Sequence, residues 1–96
     1  TIVAENEYCL AFRDNNPTAP THVLVIPKEH VESLNQMTDP ALAGRVLAFA
    51  RDVAASEGIA DGGYRVVLNT NADGGQTVFH LHAHLLGGRS LRWPPG

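Results

Sequence analysis

Three of the chain's five histidines occupy alternate positions of one short stretch, His80, His82 and His84 in HLHAH. Residues two apart on a β-strand point to the same side, so this spacing predicts a strand with three imidazoles on one face. The residues that alternate with the histidines are apolar and share the other face: Phe79, Leu81, Ala83 and Leu85. We expect the apolar face to pack on a helix, which leaves the imidazole face as the first candidate for chemistry.

Two kinds of chemistry fit three imidazoles on one face. In the first, His-x-His supplies two ligands of a zinc site, and the third comes from His22, Asp14 or Asp73. In the second, one histidine is a nucleophile through its neutral ring nitrogen, and its neighbours stabilise the negative charge on a transferred group. Three non-catalytic readings also compete: a solvated strand face, core histidines whose ring nitrogens are hydrogen-bonded, and an engineered tag, which would not alternate with an apolar face.

A glycine-rich turn directly upstream of the histidines favours the nucleophile. The segment ADGGQT, residues 72–77, can point several main-chain N–H groups at an anion, although glycine pairs alone most often mark ordinary turns. Placed directly before the histidine face, the turn puts amide donors and a nucleophile on one wall. The residues therefore predict phosphoryl or nucleotidyl transfer through a histidine.

One long helix is predicted between the second strand and the third. Asp39 suits the N-cap, Pro40 the first helical position and Gly58 the position past the end. Apolar residues recur at spacings of three and four and predict one buried stripe: Leu42, Val46, Phe49, Ala50 and Val53. Gly44 is unfavourable inside a helix, so we expect it to serve close packing.

The remaining elements are strands and turns. YCLAFR (residues 8–13), HVLVIP (22–27, a central strand) and YRVVLN (64–69) read as strands, KEHVESLNQM (28–37) as the place of a short helix, and TNADGGQ (70–76) as a turn. Strands on both sides of the helix, with a hairpin-like pair after it, predict an α+β fold with an antiparallel sheet.

Composition excludes several classes of protein. Ninety-six residues make a single domain, and seven scattered Lys and Arg with a net charge of −3 argue against a nucleic-acid partner. A lone cysteine, Cys9, excludes an intrachain disulfide and a cysteine-based zinc site and fits a reducing compartment. We expect a cytoplasmic protein, because no signal peptide or membrane-length apolar run occurs. Thr1 at the start and Met37 as the single methionine suggest that the natural N-terminus is processed or missing.

The chain resembles a known family. HLHAHLL matches the His-x-His-x-His signature, followed by two apolar residues, of the histidine triad (HIT) superfamily. Three segments resemble the Hint branch, the histidine triad nucleotide-binding proteins: AFRDNNPTAPTHVLVIPKEH, DGGQTVFHLHAHLLGGR and the terminal WPPG. The resemblance runs from about residue 8 to the end of the chain.

The resemblance implies a fold and an activity. The fold is a five-stranded antiparallel sheet with one long and one short helix, paired as a homodimer with a sheet continuous across the interface. The activity is hydrolysis of purine nucleoside phosphoramidates, such as AMP joined to an amine, without a metal or other cofactor. The alternative is a purine nucleotide-binding dimer with weak catalysis or none.

The resemblance also implies roles for single residues. His82 attacks the α-phosphorus and forms a nucleotidyl-histidine, His84 stabilises the phosphate oxygens, and His80 and His22 orient or assist the nucleophile through hydrogen bonds. The implied nucleotide-binding residues are Asp14 and Asn15 for the ribose, Asn69, Gly75, Gln76 and Thr77 for the phosphate, and Phe12 and Ile26 for the base. Trp93 is implied to reach the partner subunit's site.

Two of these positions carry a qualification. Aspartate often opens and caps turns, so Asp14 has a purely structural reading as well as the ribose-binding one. Thr77 stands where Hint proteins usually have serine; the hydroxyl is kept and a methyl is added.

Overall fold

The computed structural model describes residues 1–96 of the chain. In chain order the elements are β1 (Ile2–Glu5), β2 (Cys9–Arg13), β3 (Thr21–Pro27), a 3-10 turn (Leu34–Gln36), α1 (Pro40–Ser56), β4 (Tyr64–Val67), α2 (Asn71–Gly74) and β5 (Ala83–Gly87). The strands form one antiparallel sheet in the order β1-β2-β3-β5-β4, with β3 at its centre. The α+β prediction and the central position of the second predicted strand are confirmed.

Helix α1 begins and ends where local rules place it. The Asp39 carboxylate accepts the Ala41 N–H at 2.9 Å, Pro40 is the first helical residue, and Gly58 follows the end with φ +78°. All five residues of the predicted apolar stripe are buried. The expectation for Gly44 is wrong: it is exposed, and no atom beyond its chain neighbours and the backbone of its own helix lies within 4 Å of a Cβ added to it.

The core lies between α1 and one face of the sheet. The sheet contributes mostly small and β-branched side chains from β2, β3 and β5, together with one leucine: Cys9, Ala11, Val23, Val25, Ala83 and Leu85. The helix contributes Val46, Phe49, Ala50, Val53 and Ala54, and Ile59 closes one end. Because alanines occur on both sides, the helix can approach the strands closely. Burial of this apolar surface is the main favourable term in folding.

The predicted histidine strand is only partly a strand. β5 begins at Ala83, so His80 and His82 precede it and only His84 lies within it. In the register that pairs Val25 with Ala83, the residue opposite Leu81 is Pro27. Proline has no N–H to donate to a ladder, which explains why the pairing of β3 with β5 stops there.

The alternation of exposure nevertheless continues upstream of β5. Leu81, Ala83 and Leu85 are buried, whereas the three histidines are half-buried. The expectation for Phe79 is wrong: its side chain is 51% exposed, because the chain bends at residues 78–80 before the alternation begins.

Three further differences concern short elements. The sequence pattern missed β1, which is an edge strand. The short helix expected in residues 28–37 is a single 3-10 turn, with the Ser33 hydroxyl accepting the Asn35 N–H. The polar turn at residues 70–76 contains the four-residue helix α2, which ends at Gly75 in the left-handed conformation. None of the helices is long and apolar enough to span a membrane.

Candidate active site

The histidines lie on the sheet face that α1 does not cover, here called the open face. Side chains on this face alternate along the strands with those of the core: Leu10, Phe12, His22, Leu24, Ile26, His84 and Leu86. Val23 and Val25 point to the core, so His22 and Leu24 must point to the open face. Since β3 and β5 are neighbours, the sheet brings His22 beside the triad.

His22 and His84 form a hydrogen-bonded pair across the two strands. Nε2 of His22 lies 2.9 Å from Nδ1 of His84. Nδ1 of His22 accepts the main-chain N–H of Thr18 at 3.1 Å, so in the neutral ring we assign the hydrogen of His22 to Nε2. That hydrogen is donated to Nδ1 of His84, and the hydrogen of His84 therefore resides on Nε2. The pair leaves His84 with an N–H donor for a ligand.

A main-chain carbonyl fixes the tautomer of His82. Nδ1 of His82 lies 2.8 Å from the carbonyl oxygen of His80, which can only accept, so the neutral ring carries its hydrogen on Nδ1. Nε2 then holds a lone pair. The rings of His82 and His84 are adjacent, with centroids 5.0 Å apart. The site thus pairs one imidazole that offers a lone pair with one that offers an N–H.

His80 acts on His82 through its main chain, not through its ring. Its own ring donates from Nε2 to the Pro27 carbonyl at 2.9 Å, beyond the last ladder pair of β3 with β5. The exposed ring of His30 lies edge-on to the His80 ring, with centroids 5.1 Å apart. Likewise His22 contacts His84 and not His82. The carbonyl of His80 thus holds the tautomer of His82, and the ring of His22 holds that of His84.

The pKa of His84 is lowered from its ordinary value. Partial burial is the main cause, because it disfavours the charged ring, and the neighbouring rings of His82 and His22 add to it. The Asp14 carboxylate opposes these effects and raises the pKa. The net lowering favours the neutral form of His84, the form that the hydrogen bond from His22 requires.

Asp14 combines the structural role with a position in the site. Its Oδ1 accepts the N–H of Asn16 at 2.8 Å, the turn-capping contact, while Oδ2 lies 3.5 Å from Nε2 of His22. The donor atoms of Asp14, His22 and His84 all lie within 4.8 Å of one another, a group that could hold a metal ion. Only one member of the triad belongs to this group, so the zinc interpretation with two ligands from His-x-His does not fit the geometry.

The glycine turn presents fewer free amides than expected. The N–H groups of Gly75 and Gln76 donate back to carbonyls of α2, both at 3.0 Å. The side-chain amide of buried Gln76 bonds to the Glu32 and Val78 carbonyls and to the Asn71 N–H. The free donors begin one residue later: the exposed segment 77–79 makes no hydrogen bond through its main-chain N–H groups.

An apolar pocket of about 230 Å³ adjoins His82. It is lined by Phe12, Leu24, Ile26, Val78, His80 and His82. Phe12 and Ile26 were expected to line a pocket for the base; Leu24 and Val78 were missed. Leu24 could have been found from the sequence, because it lies between His22 and Ile26 in the alternation of β3. A larger cavity of about 480 Å³, lined largely by glycines, shares no residue with this pocket.

Four expected residues remain: Asn15, Asn69, Thr77 and Trp93. Asn15 and Thr77 are exposed, Asn69 is half-buried beside Gly74, and none of the three side chains makes a hydrogen bond within the chain. Trp93 is 80% exposed in the C-terminal tail, which the Arg65 guanidinium holds through the Arg92 carbonyl at 2.9 Å. These groups are free for contacts with a ligand or a second chain.

Comparisons with known proteins agree on one domain. The profile of the HIT domain family matches residues 1–91. An uncharacterized HIT-like protein of Synechococcus elongatus is 56% identical over an alignment of 97 positions, which covers 99% of this chain and 84% of that protein. The structure of a HIT family hydrolase from Legionella pneumophila superposes with a TM-score of 0.96 at 49% identity, covering 100% of this chain and 88% of the other. A hypothetical histidine triad nucleotide-binding protein from Sulfolobus tokodaii gives 0.76 at 28%, covering 90% of this chain and 58% of the other.

Proposed function

Because the chain belongs to the HIT domain family, we propose that it is a Hint-type hydrolase that cleaves the P–N bond of purine nucleoside phosphoramidates, such as AMP joined to an amine. One observation carries the proposal. The His80 carbonyl binds Nδ1–H of His82 at 2.8 Å, which leaves Nε2 of His82 as a nucleophile beside the N–H donor of His84. A nucleophile held in one tautomer next to a donor suits attack on a phosphoryl group.

The proposed reaction has two displacements at one phosphorus. First, Nε2 of His82 attacks the α-phosphorus, and the bond from phosphorus to the amine nitrogen breaks; the amine leaves with the bonding pair and takes up a proton. The product is a nucleotidyl-histidine. Water then attacks the phosphorus and gives up a proton to the solvent, which balances the proton taken up by the amine; the bond to Nε2 breaks with its pair returning to the ring, and AMP is released with His82 regenerated. Nε2–H of His84 stabilises the phosphoryl oxygens in both steps.

The surrounding residues form the binding site for the nucleotide. The apolar pocket lined by Phe12 and Ile26 receives the purine base, and Asp14, with Asn15 beside it, accepts hydrogen bonds from the ribose hydroxyls. Asn69, Gly75 and Thr77 face the phosphate, and the unpaired main-chain N–H groups of residues 77–79 are free to donate to it. Gln76 stabilises the loop of this binding site and does not contact the nucleotide, because its side-chain amide is already hydrogen-bonded within the chain.

The proposal includes a homodimer. Strand β4 lies at the edge of the sheet, where its outer hydrogen-bonding groups can pair with a second copy and continue the sheet. Trp93 would then reach the partner's site, which gives an exposed aromatic side chain a contact surface. Light scattering is expected to give twice the 10.3 kDa of one chain, and a monomer would contradict this part of the proposal.

The decisive experiment is mass spectrometry of protein quenched during turnover of a fluorogenic AMP-amine substrate. We expect an AMP adduct on the peptide that contains His82. His82→Asn should lower kcat by about a thousandfold or more, while thermal unfolding stays cooperative. His30→Asn is the matched control, since it removes a histidine that does not line the site. An adduct on another residue, or full activity of His82→Asn, would overturn the mechanism.

A nucleotide-binding protein without catalysis is the second candidate. It is favoured by the pocket itself and by the relative from Sulfolobus tokodaii, whose name describes nucleotide binding only. Calorimetry that shows AMP binding, combined with no turnover of any phosphoramidate, would select it. Activity that disappears with a chelator and returns with zinc would instead select a metal mechanism at Asp14, His22 and His84.

A further inference from the structure

The loop that joins β2 to β3, residues 14–20, holds the tautomers of the site. Its Thr18 N–H donates to Nδ1 of His22, and this contact assigns the hydrogens of both His22 and His84. Most of the loop is exposed, and its Asp14 and Thr18 both face His22. A surface loop keeps such a geometry only if other parts of the chain hold it.

Two residues after β5 hold this loop. Nη2 of Arg89 donates to the Thr18 carbonyl at 2.9 Å, and Nη1 donates to the Ser90 carbonyl at 3.0 Å. Gly88, with φ +91°, lets the loop come close: a Cβ at this position would lie 2.8 Å from Cβ of Pro20. The guanidinium and the missing side chain thus contact two different residues of one loop.

We propose that Arg89 is a positioning residue, which acts through Thr18 on His22 and so keeps the hydrogen of His84 on Nε2. The path is continuous: from Arg89 to the Thr18 carbonyl, from the Thr18 N–H to His22, and from His22 to His84. Each hydrogen bond in it is 2.9 to 3.1 Å long. None of the sequence patterns pointed to Arg89 or Thr18 as part of the site.

An arginine suits this role better than a shorter or single donor. Its fork contacts the loop and the chain after β5 at once, so the two segments are held at a fixed separation. The use of the His84 donor in catalysis rests on the proposed function. The tautomers do not rest on it, and they can be measured on the protein without any substrate.

The test combines ring nitrogen chemical shifts with kinetics. In ¹⁵N-labelled wild type above pH 7, two-bond ¹H–¹⁵N spectra should show a protonated Nε2 and a bare Nδ1 for both His22 and His84. Arg89→Met keeps the aliphatic stem of the side chain and removes its donors. We expect the ring nitrogen shifts of His22 and His84 to become averages of the two tautomers. We also expect kcat/KM to fall by about tenfold, because small displacements of catalytic groups slow a reaction by at least that much. Arg89→Lys, which restores one donor but not the fork, should recover part of both signals.

Two further variants keep the result interpretable. Arg51→Met is the matched control, because the Arg51 guanidinium contacts only its neighbour Asp52 on α1. Gly88→Ala displaces the same loop through Pro20 without changing Arg89, and should also average the His22 shifts. If both Arg89→Met and Gly88→Ala fold and leave the His22 and His84 shifts of the wild type, the proposal is wrong, even if activity falls. If the wild type shows no turnover but the His22 and His84 shifts change in Arg89→Met and Gly88→Ala, only the proposed function is wrong.

Discussion

Nε2 of His22 lies 2.9 Å from Nδ1 of His84, although 62 residues separate the two histidines in the chain. The contact joins the central strand to its neighbour on the open face of the sheet. It couples the protonation of the two rings, because His22 can donate to His84 only while Nδ1 of His84 holds no hydrogen. The chemistry of one ring therefore depends on the neighbours of the other.

The pKa of His84 should respond to its neighbours with opposite signs. Burial lowers it first and the rings of His82 and His22 lower it further, whereas Asp14 raises it. His82→Asn removes a neighbour that disfavours the charged ring, so the pKa of His84 should rise toward 6.5; Asp14→Asn removes the favourable charge, so it should fall. NMR titration of the His84 ring in the three proteins measures both shifts. Shifts of the same sign in both variants would contradict this account.

The lowered pKa of His84 also affects stability. Between its folded-state pKa and the ordinary value of 6.5, the unfolded chain binds a proton that the folded chain does not. The contribution of His84 is therefore complete above pH 6.5 and is lost as the pH falls toward the folded-state pKa. Urea unfolding at several pH values should show a shallower acid loss for His84→Gln than for the wild type over this window. An equal slope in the two proteins would exclude the effect.

Thr77 offers a matched test of a hydroxyl. Thr77→Val keeps the shape of the side chain and removes the oxygen, so a contact made by the hydroxyl in the reaction should cost about tenfold in kcat/KM, the size of one hydrogen bond. Thr77→Ser keeps the oxygen and removes the methyl, and should stay within about threefold of the wild type. Steady-state kinetics on one phosphoramidate compares all three. Equal activities of Thr77→Val and Thr77→Ser would show that the hydroxyl is not used.

Gln76 should matter for stability. Its buried amide bonds to the Glu32 carbonyl at 2.8 Å, the Val78 carbonyl at 3.1 Å and the Asn71 N–H at 2.9 Å. Gln76→Met leaves these main-chain groups without partners, and we expect the free energy of unfolding to fall by about 1–3 kcal/mol. Asn35→Met is the control, since the exposed Asn35 side chain makes no hydrogen bond. Denaturant unfolding of both variants measures the difference. If Gln76→Met loses no more free energy of unfolding than Asn35→Met, the stabilising role of Gln76 is contradicted.

Two glycines should respond to alanine in opposite directions. A Cβ on Gly87 would lie 2.6 Å from Cδ1 of buried Ile59, so Gly87→Ala should destabilise the fold by about 1–3 kcal/mol. Ile59→Val deletes that atom and should recover part of the loss in the double variant. Gly44→Ala should stabilise by about 0.5–1 kcal/mol, since the site is helical, exposed and open. Thermal unfolding compares the three single variants and the double variant with the wild type, and additive effects of Gly87→Ala and Ile59→Val would disprove the clash.

Local patterns determined α1 and the alternation of the triad. Asp39, Pro40 and Gly58 act within one or two turns of their own positions, so the ends of the helix could be read directly. The same holds for His80, His82 and His84, because the two-residue period of an extended chain needs no partner strand. The family resemblance added the number of strands and the proposal that His82 is the nucleophile, both of which local patterns leave open.

The arrangement of the site was decided by the tertiary structure. His22 contacts His84 because β3 and β5 are adjacent in the sheet, and no local rule sets the order of strands. Strand β5 begins only at Ala83, after His82, because Pro27 lies opposite Leu81; that pairing depends on register. Arg89 and Thr18 are 71 positions apart in the chain, and they meet because the pairing of Thr21 with Gly87 brings the chain after β5 beside the loop before β3. The sequence by itself determined which groups can do chemistry, since that is a property of side chains and spacing. Which nitrogen holds each hydrogen depends on main-chain donors and acceptors that only the folded chain brings within 3 Å or so.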